Sequence, residues 1–420
     1  MAKLAIQGGS PVLPKELPKY SSMGKEETQA VAEVMESGCL SGFYGSWGDE
    51  FLGGPKVKEF EKAWSQHFRV AHTVSVNSAT SGLIAAMGAI GIGPGDEVIV
   101  PPYTMSATAM APLIYGGIPV FVDIDPETFC LDVDSVERAI TSRTKAILAV
   151  NLFGQPAPLT RLRALADKRG LILVEDNAQG PLAAENGRYA GTIGHIGVFS
   201  LNYHKHVHTG EGGMCTTDDP QFALRLQLIR NHAENIIEPL NINDITNLVG
   251  FNFRLTELSA AVGLVQLKKI EKQVSDREVI AHKLSEGLRG LEGISVPVVR
   301  SGCRHVYYVW CARYDSAIMG ISREVFSQAL ASEGFPNFTG YTRPLYLLPV
   351  FQKRMAIGSR GYPFNLSEVR YDKGSCPVTE RMHYEEALCF ETCANYVDES
   401  TADLLVEAFR KVHRQRHELR

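Results

Sequence analysis

Short apolar runs alternate with amphipathic stretches along the middle of the chain, from about residue 70 to residue 220. Apolar runs bounded by turn-forming residues predict buried strands. We place strands at 73–76, 97–100, 119–124, 146–150, 171–174, 196–201 and 213–217. Helical periodicity occupies the segments 78–90, 106–115, 133–140 and 159–168. This alternation predicts an α/β fold with a mostly parallel sheet and helices on both faces, whose ligands bind beyond the carboxyl ends of the strands.

The flanking segments have other patterns. Amphipathic helices are predicted on both sides of the alternating region, at 25–37, 56–68, 220–232, 256–274 and 276–291. A smaller α+β part follows, with a strand at 305–314 and helices at 323–333 and 402–413. Between these, residues 352–374 are polar and weakly periodic, which predicts a long surface loop that shapes a substrate mouth. We therefore expect an N-terminal arm (1–50), a large α/β domain (51–292) and a small C-terminal α+β domain (293–420).

Composition and charge exclude several classes of protein. The 420 residues are 45% hydrophobic and 21% charged, as in ordinary globular proteins. The net charge of −5 lacks the basic excess of a nucleic-acid-binding protein. The sequence has no apolar run that could span a bilayer and no signal peptide, and its eight cysteines form no CxxC pair. We expect a cytoplasmic protein that binds neither nucleic acid nor membranes.

The segment Asn-Ser-Ala-Thr-Ser at 77–81 follows a predicted strand and opens a predicted helix. Small hydroxylated residues at this place expose backbone N–H groups at the positive end of the helix dipole, where phosphate binds well. An ordinary helix cap by Ser78 would explain the same residues. Both interpretations stay open on this segment alone.

Two further polar features follow predicted strands. Glu175 and Asp176 end the strand at 171–174, and because neighbouring side chains alternate in direction, only one can point into a site. Lys205 follows the strand at 196–201 in a loop rich in Gly and His. Burial lowers the pKa of a lysine and makes it a Schiff-base nucleophile. A helix cap or surface pair for the carboxylates and a surface position for the lysine are the alternatives.

A phosphate site, a carboxylate and a lysine together are what pyridoxal phosphate requires. The carboxylate keeps the pyridine nitrogen protonated, so that the ring can accept electrons from a carbanion. The three features also follow one another along the chain in the order seen in the large aminotransferase fold. Considered together, they predict a pyridoxal-phosphate enzyme.

The chain resembles the DegT–StrS family of pyridoxal-phosphate-dependent sugar aminotransferases. The matching stretches are 97–108 (EVIVPPYTMSAT), 120–126 (VFVDIDP), 175–179, 199–213 and 250–267 (GFNFRLTELSAAVGLVQL). This resemblance implies the fold type I architecture of that family. Such a fold has a mostly parallel central sheet with helices on both faces and a smaller C-terminal α+β domain.

The resemblance also implies roles for individual residues. Lys205 would form the Schiff base with the cofactor, Asp176 would pair with the pyridine nitrogen, and Gln179 would lie on the ring-oxygen side. Tyr103 would stack on the ring face. Asn252 would reach the phosphate bound by a neighbouring subunit, which makes the expected active unit a homodimer with shared sites. The phosphate itself would be held by Ser78, Ala79, Thr80 and Ser200.

The expected reaction transfers an amino group from glutamate or glutamine to a keto-sugar, preferably nucleotide-linked, or to a cyclitol ketone, in amino-sugar or antibiotic biosynthesis. One branch of the family has His in place of the lysine and dehydrates keto-deoxysugars. Lys205 lies in register with the Gly-rich segment 210–213, which favours the aminotransferase. A cofactor-binding sensor is a third hypothesis, but the sequence shows no DNA-binding module. Asn202 departs from the His or Gln that the family often has at its position.

His204, His206 and His208 alternate along the chain. In a strand they would share one face and could hold a metal. No carboxylate or cysteine completes a familiar ligand spacing, so we predict no metal site.

Overall fold

The computed structural model describes residues 3–13 and 16–419. Residues 1, 2, 14 and 15 of the predicted arm and residue 420 of the predicted small domain lie outside the described residues. The helices of the first half are α1 (Lys25–Ser37), α2 (Pro55–Phe68), α3 (Ala79–Ala89), α4 (Ala107–Ile114), α5 (Val133–Ala139) and α6 (Leu159–Arg169). Those of the second half are α7 (Pro220–Arg230), α8 (Glu257–Leu288), α9 (Ser316–Met319), α10 (Arg323–Ser332), α11 (Pro349–Gln352), α12 (Pro377–Arg381) and α13 (Glu399–Arg414).

A seven-stranded sheet forms the centre of the molecule. Its strands are β1 (His72–Val76), β2 (Glu97–Val100), β3 (Ile118–Phe121), β4 (Thr144–Val150), β5 (Ile172–Asp176), β8 (Ile196–Ser200) and β9 (Gly213–Thr217). The hairpin strands β6 (Ala184–Glu185) and β7 (Arg188–Tyr189) lie outside this sheet. The strand order is β1-β9-β8-β5-β4-β2-β3, and only β9 runs antiparallel to its neighbours. The predicted strands of the large domain are confirmed to within a few residues.

The reversed direction of β9 brings several chain segments to one edge of the sheet. Gly213, its first residue, pairs with Val76 at the end of β1 and with Ser200 at the end of β8. Asp176 ends β5, which is parallel to β8. The carboxyl ends of β1, β5 and β8 and the start of β9 therefore meet where a parallel sheet binds its ligands.

A smaller antiparallel sheet has the order β10-β12-β14-β13. Its strands are β10 (Ile294–Ser295), β12 (Val309–Tyr314), β13 (Phe338–Thr339) and β14 (Ala387–Glu391), and β11 (Cys303–Arg304) pairs with β6 instead. A second hydrophobic core underlies this sheet, packed by side chains of α10 and α13. Leu4 and Leu13 of the N-terminal arm belong to this second core.

Three segments differ from their sequence-based predictions. The helices predicted at 256–274 and 276–291 are one helix of 32 residues, α8. No Gly or Pro lies at the expected break, and Val274 and Arg277 are buried on either side of it. The strand predicted at 305–314 begins at Val309. The residues before it lie outside the sheet and bond the loop after β4, where the Val306 N–H donates to the carbonyl of Gly154 over 3.0 Å.

The polar segment 352–374 is packed more firmly than the predicted surface loop. Phe364 and Tyr371 are buried, and the Tyr371 hydroxyl donates to the carbonyl of Pro119 over 2.9 Å. The Arg354 guanidinium donates to backbone carbonyls within the segment. Aromatic side chains of this segment pack against β3. Because their spacing is irregular, the hydrophobic periodicity of the sequence does not reveal this packing.

Among the described residues, no helix is long and apolar enough to cross a membrane.

Candidate active site

The start of α3 leaves backbone donors free at the sheet edge. The Ser78 hydroxyl caps the helix by accepting the Ser81 N–H over 3.1 Å. The first backbone bond of the helix runs from the Gly82 N–H to the Ser78 carbonyl. The N–H groups of Ala79 and Thr80 precede that bond and have no acceptor within the helix. Ser78 is therefore a helix cap, and the same geometry leaves the donors that a phosphate would use.

Gly213 brings Ser200 close to this helix end. A methyl group on Gly213 would lie 2.7 Å from the Ser78 carbonyl carbon and 2.8 Å from the Ala79 nitrogen, so the two backbones are in direct contact. Ser200 is the pairing partner of Gly213 on the other side. The predicted phosphate ligands Ala79, Thr80 and Ser200 are thus brought together around one glycine.

Asp176 and Glu175 point to opposite sides of β5, as strand alternation predicts. The Asp176 carboxylate accepts the Thr108 hydroxyl over 2.8 Å and the Ala178 N–H over 3.1 Å. Burial raises the pKa of Asp176, against the lowering by these bonds and by the charge of Lys205. The Glu175 carboxylate instead accepts the N–H groups of a turn at residues 191–194. Asp176 is therefore available to a ligand, whereas Glu175 holds the backbone of the turn at residues 191–194.

Lys205 lies in the turn that follows β8, in electrostatic range of Asp176. Its Nζ lies 4.2 Å from the centroid of the Tyr308 ring. Burial lowers the pKa of Lys205 to about 8, partly offset by the negative charges of Asp176 and Glu391 and by Cys393. A lysine with this pKa is substantially neutral near pH 8, and the neutral amine is the nucleophile.

Gln179 is buried and both ends of its amide are engaged. Its Oε1 accepts the Phe153 N–H over 2.7 Å, and its Nε2 donates to the Tyr341 hydroxyl over 2.9 Å. Burial raises the pKa of Tyr341 to about 12, so this phenol stays protonated at neutral pH. These bonds fix the Gln179 side chain three residues beyond Asp176. Its place beside the ring oxygen stays a prediction.

The structure does not support the predicted stacking role of Tyr103. Its side chain is fully buried, with ring centroids of Phe129, Phe153 and Tyr341 at 6.0–6.5 Å. Because neighbouring rings enclose it, Tyr103 has no free face for a cofactor. Met105, two residues further on, is 58% exposed in the same loop. Met105 is therefore the apolar side chain that this loop presents, and the sequence motif alone does not separate the two positions.

Asn252 lies beside the segment that leads into α3 of its own chain. Its carbonyl accepts the Asn77 side-chain amide over 3.4 Å, and the Asn77 N–H donates to the Phe253 carbonyl over 2.8 Å. The Asn252 side chain is exposed. Its reach to the phosphate of a partner subunit stays a prediction.

The alternating histidines do not lie on a strand. Residues 203–207 form turns and bends, which removes the shared face that a metal site would need. The His206 ring bonds the Val306 carbonyl over 2.8 Å. Across residues 3–13 and 16–419, no group of three or more His, Cys, Asp or Glu side chains could hold a metal ion.

Asn202, which departs from the residue types common in the family, lies three residues before Lys205. Its side-chain amide donates to Glu211 over 2.9 Å, while its buried Oδ1 accepts no bond from the described residues.

The residues present fit pyridoxal phosphate. Free N–H donors at a helix end suit the phosphate, a buried carboxylate suits a protonated ring nitrogen, and a lysine of lowered pKa suits the aldehyde. The sequence-based prediction missed Thr108, Gly213, Tyr308 and Glu391. Thr108 and Gly213 lie inside the matching stretches 97–108 and 199–213, so their positions could have been predicted. Tyr308 and Glu391 carry no local signal.

Comparison with known proteins agrees with this geometry. Residues 21–388 match the model of the DegT/DnrJ/EryC1/StrS aminotransferase family. The spore coat polysaccharide biosynthesis protein SpsC of Bacillus subtilis is 33% identical over 364 residues, which cover 85% of this chain and 90% of SpsC. The L-glutamine:2-deoxy-scyllo-inosose aminotransferase of Streptoalloteichus tenebrarius is 33% identical over 432 residues, which cover 99% of each chain. The crystal structure of S. venezuelae DesV in complex with a ketimine intermediate has a TM-score of 0.78 and 31% identity, covering 92% of this chain and 94% of DesV.

Proposed function

Because the chain belongs to the DegT/DnrJ/EryC1/StrS aminotransferase family, we propose that it uses pyridoxal 5′-phosphate to transfer an amino group from glutamate or glutamine to a ketone on a sugar or cyclitol. The observation that carries the proposal is the partly buried Lys205, whose pKa is lowered to about 8 within electrostatic range of Asp176. A partly buried lysine near a buried carboxylate beyond a parallel sheet is the arrangement that this chemistry needs.

Each residue has a distinct task in the proposed reaction. The cofactor, when bound, supplies an electron sink for the carbanion formed on the amino donor. Asp176 keeps the ring nitrogen protonated, since an anion beside that nitrogen raises its pKa. Lys205 Nζ would bind the aldehyde. After its release it would take the proton from the donor Cα as general base and deliver it to the carbon of the former aldehyde as general acid.

The acceptor class is proposed from the relatives. The S. tenebrarius relative, which matches nearly the whole chain, is named for L-glutamine and a cyclitol ketone. The sequence resemblance favoured a nucleotide-linked keto-sugar. Purified enzyme first incubated with glutamine and then freed of donor should aminate one of these two acceptor types. Mass spectrometry of the product with each acceptor in turn decides between them.

The role of Lys205 can be tested by chemical trapping. The purified protein should be yellow, and borohydride should fix the cofactor to Lys205, as shown by peptide mass spectrometry. Lys205→Ala should keep the fold and lose transamination by several orders of magnitude. Lys168→Ala, at an exposed position near the end of α6, is the matched control and should remain active. A reduced label on another lysine would contradict the assignment.

A homodimer with shared sites is the second part of the proposal. Leu258, Val262 and Val265 lie on one face of α8 and are only partly buried in the single chain. An apolar stripe of this kind favours a second protein surface against it. Asn252 is exposed at the same end of this helix, beside the entry to α3. A partner packed on this face would bring a second Asn252 close to the phosphate site.

Mixed dimers test the shared site. Lys205→Ala chains are combined with Asn252→Asp chains, which place an anion beside the phosphate. If the sites are shared, one site of the heterodimer carries both lesions and the other carries neither, so activity partly returns on mixing. If each site belongs to one chain, mixing restores nothing. Both parents must be nearly inactive, and native mass spectrometry must show that heterodimers form.

A further inference from the structure

Two side chains, one beside and one at the end of a strand of the small antiparallel sheet, lie close to Lys205. Tyr308 lies directly before β12, and Glu391 ends β14. The register of the two strands pairs Val309 with Glu391, which brings Tyr308 next to Glu391. Neither residue belongs to a motif recognised in the sequence, and neither has a task in the reaction described above.

The contacts join these side chains to the lysine in a row. Lys205 Nζ lies over the face of the Tyr308 ring, 4.2 Å from its centroid. The Tyr308 hydroxyl donates to Oε1 of Glu391 over 3.4 Å. A cation over an aromatic face is attracted by the ring, and a phenol that donates to a carboxylate is polarised toward a more electron-rich ring. Tyr308 is 4% exposed, so little water screens this attraction.

A carboxylate faces Lys205 from each of two sides. Asp176 faces the lysine from the large domain, and Glu391 faces it from the small sheet. Burial raises the pKa of Glu391, while the Tyr308 hydroxyl and the charge of Lys205 lower it. The other titratable groups that interact with Lys205 or Glu391 are Cys393, Tyr341, His204 and His206. Burial raises the pKa of the Cys393 and Tyr341 groups and lowers that of both histidines, so these four groups are neutral near pH 7.

We propose that Tyr308 and Glu391 are positioning residues that hold the Lys205 side chain and stabilise its protonated form during transamination. This inference rests on the proposed function, because it concerns the lysine that accepts the proton and delivers it. When Lys205 Nζ takes a proton from the donor Cα, the Tyr308 ring and the Glu391 carboxylate stabilise the resulting ammonium. Asp176 remains paired with the ring nitrogen, so a second carboxylate is needed for this task.

Spectroscopic titration of the holoenzyme tests the proposal without relying on activity. The visible absorbance of the lysine-bound cofactor changes with protonation of the nitrogen that Lys205 contributes, and the pH midpoint of that change is measured. Glu391→Gln removes one negative charge at nearly constant shape and should lower the midpoint by about one pH unit. Tyr308→Phe keeps the ring and removes the hydroxyl, so it should lower the midpoint by less. Glu391→Asp should restore part of the shift.

A matched control and a kinetic measurement separate positioning from other roles. Glu385→Gln removes the same charge at an exposed position ahead of β14, and should leave the midpoint unchanged. In single-turnover reactions with glutamine, Glu391→Gln should lower the rate constant of the first half-reaction by about tenfold, with little change in the half-saturating donor concentration.

Two outcomes would overturn the inference. An unchanged midpoint in both Glu391→Gln and Tyr308→Phe would overturn it. A changed half-saturating concentration for the acceptor at constant midpoint would also overturn it, because Glu391 would then bind substrate. If the melting temperature shows that Glu391→Gln does not fold, the midpoint of Tyr308→Phe alone decides whether the inference holds. A wild-type protein without visible absorbance would instead contradict the proposed function.

Discussion

Gly213→Ala tests whether the end of α3 and the start of β9 form one phosphate site. A Cβ at this position would lie 2.7 Å from the Ser78 carbonyl carbon and 2.8 Å from the Ala79 nitrogen. Both neighbours are backbone atoms, so no side chain can rotate away. Reaching an ordinary contact of 3.4 Å requires the two backbones to separate by about 0.7 Å.

This displacement determines the expected loss. A hydrogen bond of about 2.9 Å stretched by that amount exceeds the distance at which it contributes. One bond to a charged group contributes about 1.5–3 kcal/mol, so losing one N–H contact should weaken phosphate binding by about 10- to 150-fold. The sheet pairing of Gly213 through its backbone is retained, and we expect the melting temperature of the apoprotein to fall by only a few degrees.

The assay compares two ligands on the same protein. Binding of pyridoxal 5′-phosphate and of pyridoxal, which lacks the phosphate, is followed by absorbance. Gly213→Ala should weaken the first strongly and leave the second nearly unchanged. Gly45→Ala is the control, since a Cβ there meets nothing within 4 Å. Equal loss for both ligands, or wild-type affinity for the phosphate ester in a folded variant, would refute the geometry of the site.

Three further predictions concern β5 and the lysine. Asp176→Asn should bind cofactor yet slow the proton-transfer step strongly, while Asp176→Glu retains more activity; a full first half-reaction in Asp176→Asn would assign the carboxylate role elsewhere. Glu175→Leu leaves several buried N–H donors unpaired and should lower the free energy of unfolding in urea by about 3–5 kcal/mol; a change below about 1 kcal/mol would contradict this. Because the neutral amine reacts, attachment of pyridoxal phosphate to the apoprotein through Lys205 should accelerate with rising pH and level off above about pH 8. An increase that continues past pH 10 would indicate an ordinary lysine.

Features set by local chemistry could be predicted from the sequence. The opposite directions of Glu175 and Asp176 follow from the two-residue period of a strand. The caps of Ser78 and Thr256 follow from residue type, and each side chain accepts an N–H three residues later. The family, the α/β fold and the aminotransferase class are confirmed by comparison with known proteins.

Features set by distant segments could not be predicted in this way. Tyr308 and Glu391 are 83 residues apart in the chain and meet only through the register of β12 and β14. Tyr103 and Met105 are alternatives in one loop, and their exposure depends on aromatic neighbours drawn from four other segments. The continuity of α8 depends on its burial by the rest of the fold, and local helix propensity does not predict that burial.

The N-terminal arm has a consequence for the order in which the chain folds during synthesis. The N–H groups of Ala5 and Val12 bond the carboxylate of Glu333, and Lys411 both pairs with that carboxylate and bonds the Ser10 carbonyl. The separations along the chain are 328, 321 and 401 residues. At roughly 5–20 residues per second, the ribosome makes Ala5 about 16–65 seconds before Glu333 exists. Residues 5–12 therefore leave the ribosome long before their partners do and are among the last to dock, while β1 to β9 can already assemble.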